Sequence, residues 1–298
     1  VAHRVTAPHD DHVRRLVVLA AKQLGLDSRG LDLLHRHATA VYLLPVEGVV
    51  ARVQFGDVAA VGRAVTLTRW LADHAVPVTE PAPGAGPVVV DSAAVSFWVH
   101  YPQPSPARVP PAALGRILRD LHGLLAPPVD LPVYRPLASL LDTVTTTEVL
   151  DPADRGWLLD TGAALLAAYD ALDFPLGRGF VHGDAYPGNL LYDALRGRWL
   201  LSDWEEAAIG PRELDLANTY QGVRMGRTAA DLDEFAAAYG YDLRDWSGLD
   251  TLRGLRDLHS IGAFLLRAAA GDRFAHDEVT HRLDVLRRGD PTTPWHTR

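Results

Sequence analysis

Apolar positions in the first hundred residues follow two different periods. Residues 11–24 place Val13, Leu16, Val17, Ala20 and Leu24 on one face at helical spacing, with Gly25 as a stop, and predict a helix. Residues 38–44 and 48–53 are rich in Val, Tyr and Leu and predict two strands, with Pro45-Val46-Glu47-Gly48 as the hairpin turn between them. A helix is expected over residues 59–74. Pro77, Pro81, Pro83, Gly84, Gly86 and Pro87 then break the chain, and two more strands follow at 88–90 and 94–100, joined by Asp91-Ser92.

Beyond Tyr101-Pro102-Gln103-Pro104-Ser105-Pro106, the clearest linker, the period becomes helical. One helix is expected over 111–125, carrying Leu121-His122. Another opens on Asp151 as N-cap, with Pro152 at the first helical position and Asp154 three residues after the cap. Further helices are expected at 214–223, 229–239, 249–270 and 279–288, and two short strands at 188–192 and 198–202. The chain therefore reads as α+β, with a small β-rich N-lobe over residues 1–101 and a larger, mainly helical C-lobe over 102–298.

Composition excludes several classes. The 298 residues carry a formal net charge of -8 and contain no cysteine. An acidic chain is a poor partner for nucleic acid, and disulfides, thiolate catalysis and cysteine-ligated zinc are ruled out. Apolar runs fall short of the roughly 20 residues a membrane helix needs. The start, Val1-Ala2-His3-Arg4, runs into Asp10 and Asp11 rather than an apolar core, so a cytoplasmic protein is the expectation. Lys22 is the only lysine, so a motif that ordinarily uses lysine must use another residue here.

The chemistry concentrates in Phe180-Val181-His182-Gly183-Asp184-Ala185-Tyr186-Pro187-Gly188-Asn189-Leu190-Leu191-Tyr192. An apolar lead-in delivers a polar loop that runs straight into an apolar strand, so Asp184 and Asn189 share one short loop. A second carboxylate ends the strand of Leu200-Leu201-Ser202-Asp203-Trp204-Glu205, and a strand-turn-strand return would bring it back beside Asn189. Phosphoryl transfer asks for this set: a carboxylate to orient a hydroxyl and take its proton, and hard oxygen donors to hold magnesium against phosphates. An isolated His-x-Asp is usually only a capped turn, and the conjunction of both motifs with the layout carries the argument.

His182, Asp184 and Asn189 at these spacings resemble the catalytic loop of kinases. With Gly183, Pro187-Gly188, Ser202-Asp203-Trp204-Glu205-Glu206, Ile209-Gly210-Pro211 and Glu213-Leu214-Asp215-Leu216-Ala217, the chain is similar to the aminoglycoside-phosphotransferase and choline-kinase-like family. That resemblance implies a bilobal protein-kinase-like fold, Asp184 as catalytic base, and Asn189 and Asp203 as Mg2+ ligands. It also implies that Asp215 braces the catalytic loop. His182 is read as structural, its ring tying the loop to the lobe.

The nucleotide-binding half matches less closely. The strand basic residue that contacts the α- and β-phosphates falls at Arg52, with an exposed arginine as the alternative reading. The acidic partner expected on the next helix aligns with Ala64, and Asp57 is a substitute candidate. The phosphate-covering loop, residues 36–40, has no glycine and offers backbone amides and the Thr39 hydroxyl. In the hinge Phe97-Trp98-Val99-His100-Tyr101, the backbone of Val99 and Tyr101 is the candidate for the adenine edge, while Phe97 and Trp98 read as core.

The expected activity is an ATP- and Mg2+-dependent small-molecule kinase, with GTP as the alternative nucleotide. Its acceptor is an aminoglycoside-like or other small hydroxyl compound, a cationic one among the candidates. A metabolic kinase for an amino alcohol, amino sugar or sugar is one alternative, and a kinase-like binding protein without turnover is another. Asp231, Asp233 and Glu234, with Asp242 and Asp245, could wall a cationic acceptor, although a solvated helix face is the commoner meaning of such a run. Tyr220, Arg224 and Asp257 fall in segments that line the acceptor site in similar proteins. His3, His9 and His12 read as a flexible, exposed start. A monomer or homodimer is expected, with no membrane and no nucleic-acid partner.

Overall fold

A computed structural model describes residues 8–36, 39–103, 109–124 and 127–296. By internal packing the chain divides into two units, one of Val1–Arg108, Ala126–Leu131 and Asn189–Ala207, the other of Val109–Leu125, Pro132–Gly188 and Ala208–Arg298.

The first unit is built on an antiparallel sheet in the order β1-β2-β3-β5-β4, formed by Asp32–Arg36, Ala40–Leu44, Val49–Phe55, Ala93–Val99 and Val88–Val90 respectively. Strand alternation sorts the side chains by face. Ala51 and Val53 of β3 join Leu44, Val95 and Phe97 in a core closed by Val13, Leu16, Val17 and Ala20 of α1 (Pro8–Gln23). Val50, Arg52 and Gln54 project from the opposite face of β3 and are only partly buried. Helix α2 (Val58–Asp73) follows β3, capped by Asp57, whose side chain accepts from the Ala60 amide at 3.0 Å. Each core Leu or Val side chain fully removed from water contributes about 1.5–3 kcal/mol.

The same unit contains a hairpin of β7 (Leu190–Asp193) and β8 (Arg198–Leu201). It is held to the segment between α2 and β4 by Leu201 N–H to Pro77 carbonyl (2.8 Å) and Thr79 N–H to Leu201 carbonyl (3.1 Å). The Gln103 side chain donates to the Tyr192 carbonyl (3.3 Å) and accepts from its amide (2.9 Å). The linker is therefore pinned as far as Gln103. Residues 104–106 of it lie outside the described residues.

The second unit is mainly helical: α3 (Pro111–His122), α4 (Ala138–Thr146), α5 (Pro152–Asp170), α6 (Glu213–Gln221), α7 (Ala229–Tyr239), α8 (Leu249–Ala269) and α9 (Arg273–Arg287). Between α5 and α6, β6 (Arg178–Val181) pairs antiparallel with β9 (Ala208–Pro211), Val181 opposite Ala208. This ladder matters most for chemistry. Strand β6 delivers His182-Gly183-Asp184, and β9 delivers the first turn of α6.

Several elements depart from the sequence expectations. β1 was not expected because its side chains from Asp32 to His35 are exposed and leave no apolar alternation. α4 is short and rich in Thr, and only Leu140 and Val144 are buried, so packing rather than helix propensity holds it. β9, Ala-Ile-Gly-Pro, contains two residues disfavoured in strands. α9 starts six residues earlier than residue 279, at a polar first turn capped by Asp272. His9 and His12 lie on α1 rather than on a flexible start, and His3 lies outside the described residues.

Candidate active site

In the first unit, the side of the sheet away from α1 carries a compact charged group. Arg52 reaches from β3 to Asp203, Nη2 to Oδ1 at 2.5 Å, and Nη1 lies 3.3 Å from Oε1 of Glu205. Its side chain is 16% exposed, so this is not the exposed strand arginine of the alternative reading. Burial alone would lower the guanidinium pKa, but the Glu205 and Asp203 charges raise it, so the group stays cationic. Burial pushes Glu205 up to about 7, opposed by Arg52 and reinforced by the Asp203 carboxylate. The expected acidic partner on α2 is absent: Ala64 is buried there, and Asp57 caps the helix and pairs with Arg63 at 3.2 Å. The carboxylates beside Arg52 come instead from the turn after β8.

Asn189 is buried at the end of a single 3-10 turn, Pro187–Asn189, that opens β7. Its carbonyl accepts both the Ser202 amide and the Ser202 hydroxyl, each at 2.9 Å. The hairpin thus brings Asn189 and the Ser202-Asp203 segment to the same end, as the strand-turn-strand reasoning expected. Asp203 sits at φ 72°, ψ 62°, a left-handed conformation that Asp tolerates better than most residues and that costs about 1–3 kcal/mol.

These donors suit a hard divalent cation. Asp203 supplies an exposed carboxylate, Asn189 an amide, and the buried Oε2 of Glu205 accepts no hydrogen bond. Among the described residues no group of three or more His, Cys, Asp or Glu could hold a metal unaided. A magnesium ion here would complete its shell with phosphate oxygens and water, as Mg2+ commonly does.

The remaining nucleotide candidates are placed as follows. Thr39 is half-buried directly before β2. The Val99 amide donates to the Glu80 carbonyl at 2.9 Å. The Tyr101 carbonyl accepts from Gln103 Nε2 at 2.7 Å, and its hydroxyl accepts from the Glu80 amide at 3.3 Å. Phe97 and Trp98 are core residues, as expected.

In the second unit the loop after β6 is fixed from below. Asp215, fully buried in the first turn of α6, accepts the His182 amide on Oδ2 (2.7 Å), the Gly183 amide on Oδ1 (2.8 Å) and His122 Nε2 on Oδ2 (3.0 Å). Burial would raise its pKa, but the hydrogen bond and charge of His122, with His182, hold it below the ordinary value. The Tyr239 hydroxyl meets His122 Nδ1 at 2.8 Å, tying α3, α6 and α7 together at this point. His182 is fully buried, and its Nδ1 accepts the Asp184 amide at 3.2 Å. Gly183 adopts φ 88°, a conformation that favours glycine, which lets two successive amides turn onto one carboxylate.

Asp184 emerges from this frame partly exposed. Its Oδ1 accepts Arg256 Nη2 from α8 at 2.6 Å and Asn218 Nδ2 from α6 at 3.4 Å. The structure therefore gathers His182, Asp184 and Asp215. It adds His122, Asn218 and Arg256, which sequence reasoning did not assign. His122 had been noted only as part of a helix, and nothing in α8 marks Arg256 among the many arginines. The other acceptor-side candidates are tied up internally: Arg224 pairs with Asp257 (2.8 Å), and the Tyr220 hydroxyl donates to Asp242 (3.1 Å). No helix among the described residues is long and apolar enough to cross a membrane.

The model of the family described as "Phosphotransferase enzyme family" matches residues 33–255, most of the chain. No curated protein sequence matches it. Among solved structures, the amicoumacin kinase hAmiN, in complex with AMP-PNP, Ca2+ and Ami, aligns over 97% of this chain and 98% of its own, at TM-score 0.72 and 14% identity. A choline/ethanolamine kinase family protein from Mesorhizobium loti aligns over 93% and 94%, at 0.63 and 20%. The aminoglycoside phosphotransferase APH(3'')-Id from Streptomyces rimosus aligns over 84% and 98%, at 0.56 and 20%. At these identities the likeness is one of fold: the expected α+β, protein-kinase-like fold is the one observed.

Proposed function

Because the chain belongs to the phosphotransferase enzyme family, we propose that it transfers the γ-phosphate of ATP, with GTP as the alternative donor, to a hydroxyl of a small molecule. It is a phosphotransferase with an alcohol group as acceptor. The observation that carries the finer reading is the anchoring of Asp184. Its loop is braced through two backbone amides by a buried carboxylate, and its own Oδ1 is oriented by Arg256 and Asn218.

In the proposed reaction, Asp184 accepts a hydrogen bond from the acceptor hydroxyl and aligns its oxygen on the γ-phosphorus. The new P–O bond forms as the bond to the β-phosphate oxygen breaks, the hydroxyl proton passes to Asp184, and the nucleoside diphosphate leaves. Arg52 donates to phosphate oxygens, its fork replacing the lysine usual at this strand position. Asp203 and Asn189, with Glu205 beside them, are the residues that would hold magnesium, which supplies charge neutralisation on the phosphates. His182 and Asp215 hold the loop and do not touch substrate.

One observation bears on the acceptor. Four of the carboxylates on α7 and in the turn after it that could have walled a polycation are engaged within the protein. Asp231 forms a capping box with Thr228, Glu234 accepts from the Ala112 amide (3.3 Å), and Asp233 and Asp242 both pair with Arg244 (2.6 and 2.5 Å). This favours a metabolite such as a sugar over a polycationic aminoglycoside. The test measures ADP release from Mg-ATP and Mg-GTP with sugars, amino sugars, amino alcohols and aminoglycosides, for wild type and Asp184→Asn. The variant should lose about 10²–10⁴-fold in kcat with nucleotide affinity by calorimetry unchanged. Equal turnover by the two proteins would overturn Asp184 as the base. Nucleotide binding without turnover on any acceptor would favour a binding protein.

A further inference from the structure

Two donors meet at Oδ1 of Asp184, and they come from different helices. Asn218 reaches it from α6 at 3.4 Å and Arg256 from α8 at 2.6 Å. Tyr134 also hydrogen-bonds the Arg256 guanidinium, and its own amide is tied to the Ile209 carbonyl at 2.9 Å. Holding both donors on one oxygen requires α6 and α8 to keep a fixed offset, since a helix that slides or turns carries its side chains with it.

A buried carboxylate stands at that junction. Asp257, next to Arg256 on α8, is 6% exposed. Its Oδ1 accepts Gln221 Nε2 at 3.0 Å, and its Oδ2 accepts Arg224 Nε at 2.9 Å with Nη2 at 2.8 Å. Both donors belong to the far end of α6: Gln221 is its last residue, and Arg224 lies in the 3-10 turn Gly222–Met225 that continues it. Asp215, Asn218 and Gln221 follow one another at three-residue intervals, a single row along the α6 surface. That row meets in turn the amides of the catalytic loop, Asp184 and Asp257.

Arg224 is itself a fixed point. Its Nη1 and Nη2 donate to the Thr293 and Asp290 carbonyls at 3.4 and 3.0 Å, and its guanidinium carbon lies 4.3 Å from the centre of the Trp295 ring. The Trp295 amide donates back to the Arg224 carbonyl at 2.9 Å. A guanidinium held on several sides cannot follow α8 when the helix shifts, so its bond to Asp257 resists the shift.

We propose that Asp257 is a positioning residue for the catalytic base: it locks α8 to the end of α6 and thereby keeps Arg256 and Asn218 together on Asp184. The inference rests on the reading of Asp184 as the base. It gives Asp257, with Gln221 and Arg224, a part in the reaction without contact to substrate.

The experiment uses the full chain as wild type, Asp257→Asn, Gln221→Leu and Asp184→Asn. Crystal structures read the Arg256–Asp184 contact. ADP release from Mg-ATP is followed below each protein's melting point, with water alone and with glucose, glucosamine, ethanolamine and kanamycin. Asp257→Asn should lengthen the contact from 2.6 Å to beyond hydrogen-bonding distance. It should lower kcat about tenfold to hundredfold, with KM for nucleotide and acceptor within about twofold of wild type. Gln221→Leu keeps the Asp257–Arg224 pair, and with it the fold, and should act in the same direction by about threefold to tenfold, the loss of one hydrogen bond. A contact retained at 2.6 Å in every variant that folds overturns the proposal however far the melting point falls, because a merely stabilising pair gives that result. A rise in acceptor KM at unchanged kcat overturns it too, since Asp257 would then be an acceptor contact. Where no acceptor turns over, the contact distance decides. Full turnover by Asp184→Asn defeats the base reading alone, and the distances still test the lock.

Discussion

Replacing Asp215 with Asn tests whether the catalytic loop is held by one buried carboxylate. The substitution is isosteric and removes the charge. Three donors converge on Asp215 at 2.7, 2.8 and 3.0 Å, none reachable by water because the residue is fully buried. Hydrogen bonds to an ionised group contribute about 1.5–3 kcal/mol each, but members of one network are not additive. Asn keeps one acceptor oxygen and presents an amide to the remaining donor side, so at least one buried N–H loses its partner at a cost of about 1–3 kcal/mol. Adding part of the lost charge interaction gives about 2–4 kcal/mol in all. At about 2–4 °C per kcal/mol for a unit of this size, the melting point should fall by about 4–16 °C.

The pH dependence makes the test more specific. The folded pKa of Asp215 lies below its ordinary value, so its stabilisation is fully present above the unfolded pKa near 3.8 and is lost as pH falls through the folded value. The gap between wild type and Asp215→Asn, followed by urea unfolding with circular dichroism, should therefore be constant from neutral pH to about pH 4 and shrink below it. Activity should fall along with stability, since the loop bearing Asp184 loses its brace. Coincident unfolding midpoints, or a gap that does not change in acid, would refute the reasoning.

Two further outcomes are expected. Arg52→Gln should weaken Mg-nucleotide binding by about tenfold or more in calorimetry, the loss of a charged phosphate contact, with acceptor KM little changed. Unchanged nucleotide affinity would leave Arg52 as a partner of Asp203 and Glu205 only. Gly183→Ala places a Cβ on a residue at φ 88° and should cost at least about 1–2 kcal/mol of stability and lower kcat by misplacing the adjacent Asp184. A variant with wild-type stability and kcat would show that the turn tolerates another geometry.

The parts legible in the sequence were those written in local pattern. The N-cap of α5 was readable because Asp151, Pro152 and Asp154 act within one turn, and Asp151 does accept the Asp154 amide at 2.7 Å. The return of Asp203 toward Asn189 was readable because two apolar strands flank a short turn, and the Ser202 bonds to the Asn189 carbonyl complete it. The parts that were not legible depend on long-range packing. β1 and β9 have no amphipathic signal, and pairing with β2 and β6 is what makes them strands. Arg256 is separated from Asp184 by 72 residues, and only the tertiary packing of α8 brings the two together.

The replacement of the helix acid shows why residue-by-residue alignment misled and what physical need outlasted it. A buried guanidinium must be matched by negative charge wherever that charge comes from. On α2 the aligned position is Ala64, which is buried and carries no charge. The turn after β8 meets the need with Asp203 and Glu205, two residues apart and within 2.5 and 3.3 Å of Arg52. On the proposed function the same two carboxylates would lie beside Asn189 as oxygen donors for a cation, so Arg52 and a divalent ion would be alternative counter-charges for one acidic pair. On that function, too, a bound nucleotide would offer Arg52 phosphate oxygens in place of these carboxylates, and neither charge would be left unmatched. That exchange would require a fork that is charged at every working pH, a requirement arginine meets more securely than a lysine would.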